Sequence, residues 1–291
     1  MIGQECIDEL AAEVGLKDKV AGITARAMNG EIEFEPAVRE RVALLKGLSI
    51  GIVDEIIEKR ITLTPGGKEL IATMKANGGY AAGVFAALVD GPAEVNLRAP
   101  PPLDKPVRVV SGAQGFEFFD GDTLVATSAL SGFLPPPPDA PTPDQALNGR
   151  SHFPPEEDLA FPSCFVCGPH RKVGDGLRLF TGPADGFDGV ADVWVPAPEF
   201  TGGDSLVRPE ILWAALDCPG AFAMGFDGNP MVLARIVGNL HALPKAGEAL
   251  VVAGWPLFHD GRKHGAGTAI YTEDGQLIAQ SEQLWIELKK A

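Results

Sequence analysis

The chain has 291 residues, with 24 Lys and Arg against 39 Asp and Glu and a formal net charge of −15 at pH 7, enough material for roughly two domains of about 100–200 residues each. That charge repels phosphate backbones and anionic headgroups, so neither nucleic acid nor a membrane surface is expected as a partner. Residues Met1 to Cys6 form no basic-then-apolar leader, no window approaches about 18 uninterrupted apolar residues, and the four cysteines read as thiols of a cytoplasmic protein rather than as a disulfide framework.

From Glu5 to Asn77 apolar residues recur at three- and four-residue spacing: Ile7 and Leu10, Val20, Ile23 and Ala27, Val42 and Leu45, Ile52, Ile56 and Ile57. This spacing predicts about five short helices. Thr64-Pro65 supplies a cap and a first-turn proline, and Asn77-Gly78-Gly79 can stop the last of them. One further helix is predicted through Tyr80, Val84, Phe85 and Leu88. Strands follow at 94–98, 107–110, 116–119 and 124–127, separated by Gly, Pro and Asp. Residues 132–150 are proline-rich, with Pro135 to Pro138 consecutive, and are expected to be an extended linker with little helix or strand. Beyond it come a strand at 190–194, a helix from about Arg208 to Ala223, and strands at 231–240, 249–258, 265–272 and 277–288. The order helix, then antiparallel strands, therefore occurs twice.

Three clusters carry possible chemistry. Cys164-x-x-Cys167 with His170 has metal-like spacing, but a structural zinc site needs four ligands and no second cysteine pair follows. The plainer reading is a turn whose thiols pack under the sheet, and no metal is expected. Cys218 beside Asp217 could be a nucleophile, against the simpler role of a small buried hydrophobe. Arg262, Lys263 and His264 form a short basic knot, either a phosphate-binding group or an ordinary hairpin turn.

Residues 78–291 resemble a bacterial tandem hot-dog thioesterase-superfamily protein through Asn77-Gly-Gly-Tyr-Ala-Ala-Gly83, Cys164-Phe-Val-Cys-Gly168, Arg208-Pro-Glu-Ile-Leu-Trp-Ala-Ala-Leu-Asp-Cys-Pro-Gly220, Gly254-Trp-Pro256 and Asp260-Gly-Arg-Lys-His264. Asn77 stands where histidine is usual, and the strand expected before the first helix is missing. The resemblance implies an α+β fold, an N-terminal helical bundle followed by a double hot-dog. Its parts are 1–77, an incomplete first half at 78–131, the linker at 132–150, and a second half at 151–291. It also implies an acyl-thioester hydrolase or an acyl-thioester-binding protein, its ligand linked to coenzyme A or a carrier, in a chain that could form a homo-oligomer. Backbone N–H groups at Gly78 and Gly79 would meet the thioester carbonyl at a helix N-terminus, and Arg262 and Lys263 would meet the phosphates of coenzyme A. A helix carboxylate, Asp217 first and Glu210 second, would act as base or nucleophile. Their seven-residue separation places both on one helical face. The bland alternative is that Asp217 pairs with nearby backbone and that Glu210 favours the first helical turn.

Residues 1–80 resemble the helical cap and first core helix of phosphoserine phosphatases of the haloacid dehalogenase superfamily. The motifs are Ile2-Gly-Gln-Glu-Cys-Ile-Asp-Glu-Leu10, Ala27-Met-Asn-Gly30, Phe34-Glu35, Arg39-Glu-Arg-Val-Ala-Leu-Leu-Lys-Gly47 and Arg60-Ile-Thr-Leu-Thr-Pro65. The resemblance implies that Glu5 contacts a substrate ammonium, that Arg41 holds its carboxylate, and that Met28 and Phe34 close over it. The Asp-x-Asp-x-Thr nucleophile loop, the Ser-Gly-Gly-Phe motif and the Gly-Asp-Gly-x-Asn-Asp magnesium motif are missing. A catalytically incomplete fragment fused to the hot-dog module is the expectation. The alternative is a magnesium-dependent phosphoserine phosphatase of serine biosynthesis, and otherwise no cofactor is expected.

Overall fold

The computed structural model describes residues 11–12, 15–29, 31–32, 34–45, 77–102, 105–132, 134–225 and 230–288. Two compact units divide the chain, Met1–Leu70 and Ile71–Ala291. In the first unit the described helices are α1 (Lys17–Met28) and α2 (Phe34–Leu44). Val20 and Ile23 are buried, as their spacing requires. Thr24 Oγ1 donates to the Val20 carbonyl at 3.1 Å and accepts from Arg41 Nη1 at 3.0 Å, so one hydroxyl ties α1 to α2. The other helices expected before residue 77 lie outside the described residues.

The second unit begins with helix α3 (Gly78–Ala86), followed by strands β1 (Ala93–Leu97), β2 (Arg108–Gly112), β3 (Gly115–Asp120) and β4 (Thr123–Leu130). Helix α4 (Pro143–Ser151) then precedes β5 (Gly182–Pro183), β6 (Val190–Trp194), helix α5 (Pro209–Ala223), and β7 (Met231–Leu240), β8 (Leu250–Asp260), β9 (Lys263–Thr272) and β10 (Leu277–Glu287). The strands form one ten-stranded antiparallel sheet in the order β2-β3-β4-β1-β7-β10-β9-β8-β6-β5. In the second half the strand before the helix is followed across the sheet by the third, fourth and fifth, and the strand leaving the helix lies at the far side. This is the hot-dog arrangement, an antiparallel sheet curled against one long helix. The first half has the strand order β2-β3-β4-β1, with no strand ahead of its helix among the described residues. The halves join through β1 and β7, where fully buried Val95 lies opposite fully buried Ile236.

Local chemistry accounts for the helix starts. Asn77 Oδ1 accepts from the Tyr80 N–H at 2.8 Å, a side-chain cap of the first turn of α3. α5 starts with Pro209 in its first turn and carries a second proline, Pro219, in its interior. That proline removes one backbone donor. Close by, Gln283 Nε2 donates to the Leu216 carbonyl at 2.5 Å and to Thr268 Oγ1 and Ser281 Oγ, while its Oε1 accepts from Trp285 Nε1. Polar groups buried under α5 are thus paired with one another and with the helix backbone.

The expected featureless linker at 132–150 is corrected by the structure. Its second part folds as α4, started by a complete capping box: Gln145 N–H donates to Thr142 Oγ1, and the Thr142 N–H donates to Gln145 Oε1 at 2.9 Å. Ala146 of α4 is buried in a cluster with Ala191, Ala253 and Ala269. Ahead of it, Pro138 offers its carbonyl to the Tyr271 hydroxyl at 2.8 Å. Neighbouring strand residues point to opposite faces: a Cβ on Gly254 would strike Pro219 of α5, whereas Ala253 faces α4. The second-half sheet is therefore covered on both sides, which is why His264 through Tyr271 of β9 are buried without alternation.

Arg150 secures α4 to β6. Its Nη1 lies 2.7 Å from Oδ2 of fully buried Asp192, which also accepts the Phe180 N–H. Burial still holds the Asp192 carboxyl above the ordinary range, against the opposing pull of Arg150. Removing the cation strands a buried carboxylate, so Arg150→Ala is expected to lower unfolding free energy by about 3 kcal/mol, with Thr142→Ala costing about 1 kcal/mol. Denaturant midpoints of the full chain check both values, and an Arg150→Ala loss no larger than that of Thr142→Ala contradicts this account of the anchor.

Candidate functional site

Helices α3 and α5 run antiparallel in direct backbone contact. A Cβ on Gly79 would lie 2.5 Å from both Trp213 O and Asp217 Cβ, and one on Gly83 would lie 2.7 Å from Glu210 Cα and Trp213 Cβ. Gly79 and Gly83 thus form a seat one helical turn apart on which α5 rests. Glu210 and Asp217 both belong to the face of α5 turned toward α3, as their spacing predicted. The expectation that the Gly79 N–H meets a substrate carbonyl is corrected, because that N–H is held by Asp217 and the space beside Gly79 is filled by α5. A Cβ on Gly78 would meet Leu233 and Leu97 at 3.2–3.4 Å, a tight but softer surrounding.

Asp217 lies at the centre of this contact. Its Oδ2 accepts from the Gly79 N–H at 3.0 Å and from Asn77 Nδ2 at 2.7 Å. Its Oδ1 is buried and has no hydrogen-bond partner among the described residues. Burial raises the carboxyl to about 7, opposed by the Gly79 N–H, raised further by the charge of Cys164 and opposed again by Asn77. Asn77, in the position where the resembled family has histidine, both caps α3 and fixes the carboxylate. Sequence reasoning paired Asp217 with neighbouring backbone only as the bland alternative. The observed partner is 138 residues away, so the contact belongs to tertiary packing.

Three thiols lie close to Asp217, and Tyr80 and Phe165 lie near the start of α3. Tyr80 and Phe165 meet edge to face with centroids 6.3 Å apart. Burial raises the Tyr80 hydroxyl, with the Glu210 charge adding to the shift and Arg208 opposing it. Glu210 pairs with Arg208 at 3.5 Å. Cys164 Sγ lies 3.6 Å from Cys218 Sγ, and the Sγ atoms of Cys164, Cys167 and Cys218 all fall within 4.8 Å of one another. Hydrogen bonds from Cys167 and Cys218 hold the Cys164 thiol well below its ordinary value, and the two donors are pushed up. Of the metal-like spacing Cys164-x-x-Cys167 with His170, weighed in the sequence against a turn of packed thiols, the structure brings together the cysteines but not the histidine. His170 Nε2 instead contacts Glu156 Oε1 at 2.7 Å, and the third member is Cys218, 54 residues along the chain from Cys164.

Arg262 and Lys263 occupy the β8–β9 turn, with Lys263 opposite Asp260. The Arg262 Nε and Nη2 both donate to the Glu287 carbonyl, at 2.9 and 2.7 Å. This pairing fastens the hairpin to the end of β10. A pocket of about 90 Å³ lies under the proline-rich segment beside Leu134, Trp255 and Gly267. A broader groove of about 510 Å³ runs by His152 and Phe187. Asp217 lines neither.

No family model matches the chain. The first third of the chain is similar to phosphoserine phosphatases. It is 54% identical over 78 residues to a probable phosphoserine phosphatase of Schizosaccharomyces pombe, covering 27% of this chain and 26% of that one. It is 48% identical over 91 residues to the phosphoserine phosphatase of Archaeoglobus fulgidus, covering 31% and 25%. The Lactococcus lactis enzyme is 46% identical over 93 residues, covering 31% and 43%. The chain thus spans less than half the length of each of these relatives. Among solved structures, an acyl-CoA thioesterase II from Mycobacterium marinum is similar over 75% of this chain and 91% of that one, at 13% identity and a TM-score of 0.47. A hot-dog protein from Alicyclobacillus acidocaldarius is similar over 74% and 88%, at 14% identity and a TM-score of 0.44.

Of the residues that the phosphatase resemblance singles out, Glu5 lies outside the described residues, and so do the side chains of Met28 and Phe34. Arg41 is engaged with Thr24. Among the described residues, no helix is long and apolar enough to cross a membrane.

The helix seat makes a direct forecast. Gly79→Ala forces two backbones apart and is expected to destabilise the chain by about 1–3 kcal/mol, whereas Gly203→Ala, where a Cβ meets nothing within 4 Å, should change stability by less than about 0.5 kcal/mol. Equal thermal midpoints for the two variants would show that α3 and α5 are not in backbone contact.

Proposed function

We propose that the second unit is a double hot-dog acting on acyl-thioesters, with Asp217 as the group that activates water. The observation that carries this reading is a buried carboxylate clamped through Oδ2 at the N-terminus of α3, with Oδ1 left unpartnered. Asn77 and the Gly79 N–H fix its orientation without consuming Oδ1, so the free oxygen can take a proton from water as the water oxygen attacks the thioester carbon. The carbon–sulfur bond then breaks, and the proton passes from Asp217 to the departing thiolate.

The first N–H groups of a helix have no carbonyl one turn back. At α3 the Tyr80 N–H is taken by Asn77 and the Gly79 N–H by Asp217, which leaves Gly78 as the donor for the developing oxyanion, aided by the helix dipole. Glu210, paired with Arg208, has the lesser role. Coenzyme A or an acyl carrier is the proposed source of the thiol, with Lys263 and the remaining Arg262 donors available to its phosphates. A thioester-binding protein without turnover is the other outcome this arrangement allows.

A panel of acyl-coenzyme A substrates of different chain length, read by release of free thiol, tests the proposal. Wild type is expected to turn over at least one of them, Asp217→Asn to lose about 100-fold or more in kcat, and Glu210→Gln to retain most of its rate. Turnover unchanged in Asp217→Asn removes Asp217 from the chemistry. Binding without thiol release in wild type selects the binder over the hydrolase.

For the N-terminal third, we infer a phosphatase cap fragment joined to this module and inactive by itself. Its identity to phosphoserine phosphatases supports the cap assignment, and the replacement of the Ser-Gly-Gly-Phe and Gly-Asp-Gly-x-Asn-Asp motifs by other sequence after residue 80 supports inactivity. Phosphoserine with magnesium should release phosphate at the rate of the blank. Release abolished by Arg41→Ala would instead establish a phosphatase.

A further inference from the structure

The geometry points to a thiolate metal site formed by Cys164, Cys167 and Cys218, of the kind that takes Zn²⁺. This goes beyond thioester chemistry and does not depend on it. Tetrahedral zinc with bonds of about 2.3 Å to sulfur places its sulfur ligands about 3.8 Å apart. The Cys164 and Cys218 sulfurs already stand 3.6 Å apart, and all three lie within 4.8 Å of one another. Little movement is needed to close them around one ion.

The backbone is folded for the same purpose. In Cys164-Phe-Val-Cys-Gly168 the Gly168 N–H donates to the Cys164 carbonyl at 3.0 Å, which turns the chain back so that both thiols point one way. A Cβ on Gly168 would collide with the Cys164 carbonyl oxygen and stand 2.6 Å from its nitrogen. The returning chain braces the turn, with Leu177 N–H donating to the Phe165 carbonyl at 2.9 Å and Leu179 N–H to the Val166 carbonyl at 3.0 Å. The third thiol comes from a different element, the middle of α5, where Cys218 is buried. Three sulfurs from a braced turn and a helix meeting at one point are more than packing of small apolar side chains demands.

The alternative use of a close thiol pair is a disulfide. It would require the Cys164 and Cys218 sulfurs to close from 3.6 Å to about 2.05 Å, and it would leave Cys167 without a role. A metal uses all three. Binding releases the remaining thiol protons to solvent, and three thiolates leave one tetrahedral position. The Asp217 carboxyl, next to Cys218 in α5, carries a charge that bears on Cys167. The ion would fasten residues 164–168 to α5 next to the α3–α5 contact.

The test is cobalt titration of the reduced full chain without oxygen. One equivalent is expected to give a thiolate-to-cobalt charge-transfer band in the near ultraviolet together with the intense visible bands of tetrahedral cobalt, both abolished by one equivalent of Zn²⁺. Cys218→Ala should weaken binding by about 100-fold or more, and His170→Ala should leave it unchanged. Should the cysteine variant fail to fold, X-ray absorption of the zinc-loaded wild type decides, with three sulfur scatterers expected at about 2.3 Å. Absence of the charge-transfer band, a spectrum identical in Cys218→Ala, or two or fewer sulfurs around zinc would overturn the site. All of these readouts are metal content and spectra, so their failure is distinguishable from failure of thioester turnover.

Discussion

The contact between α3 and α5 governs the organisation of the second unit. Gly79 and Gly83 let two helix backbones touch, and Asp217, where they touch, is held by an N–H of one helix while belonging to the other. A buried carboxylate costs free energy unless its oxygens are paired, and here one oxygen is paired twice and the other is left over. Charge, close packing and the joining of the two halves therefore meet at one residue. Replacing Asp217 by an apolar residue would leave the Gly79 N–H and the Asn77 amide without their shared acceptor. Conversely, a side chain at Gly79 would lift α5 away from both.

The sheet provides the frame for that contact. β1 and β7 join the two halves edge to edge, so the helices on its face are brought side by side without relying on long loops. On the second half the opposite face is closed by α4 and the proline-rich segment, with Arg150 and Asp192 as the anchor. In the first half, β2 is the outer strand, and Val109 in it is 46% exposed. Arg108 beside it stacks its guanidinium over Phe119, which puts a charge on that edge.

Much of the fold was legible in the sequence, because alternation and turn residues are local signals. The strands at 190–194 and 231–240 and the helix ending at Ala223 agree with the structure. The helix at 143–151 is masked in the sequence by the run of prolines before it, which favours an extended segment. Its signature was nevertheless present in Thr142-Pro-Asp-Gln145, a capping box with a proline in the first turn. β9 is buried on both faces only because α4 and the segment before it return across the sheet, and no local pattern records that return. At the candidate site, Asp217 was singled out from its place on the helix, but its partner Asn77 and the joining of Cys218 to Cys164 and Cys167 depend on contacts between residues far apart in the chain. Spacing alone linked the Cys-x-x-Cys pair to His170, which faces Glu156 instead.

The proposed chemistry requires that an acyl-thioester reach the start of α3. The most direct measurement is the amide NMR spectrum of the full chain titrated with an acyl-coenzyme A analogue whose thioester sulfur is replaced by methylene, so that it binds without being cleaved. Saturable shifts at the Gly78 and Gly79 amides, retained when Asp217 is changed to Asn, are the predicted result. Shifts confined to other parts of the sheet, or no saturable shift at all, would contradict it.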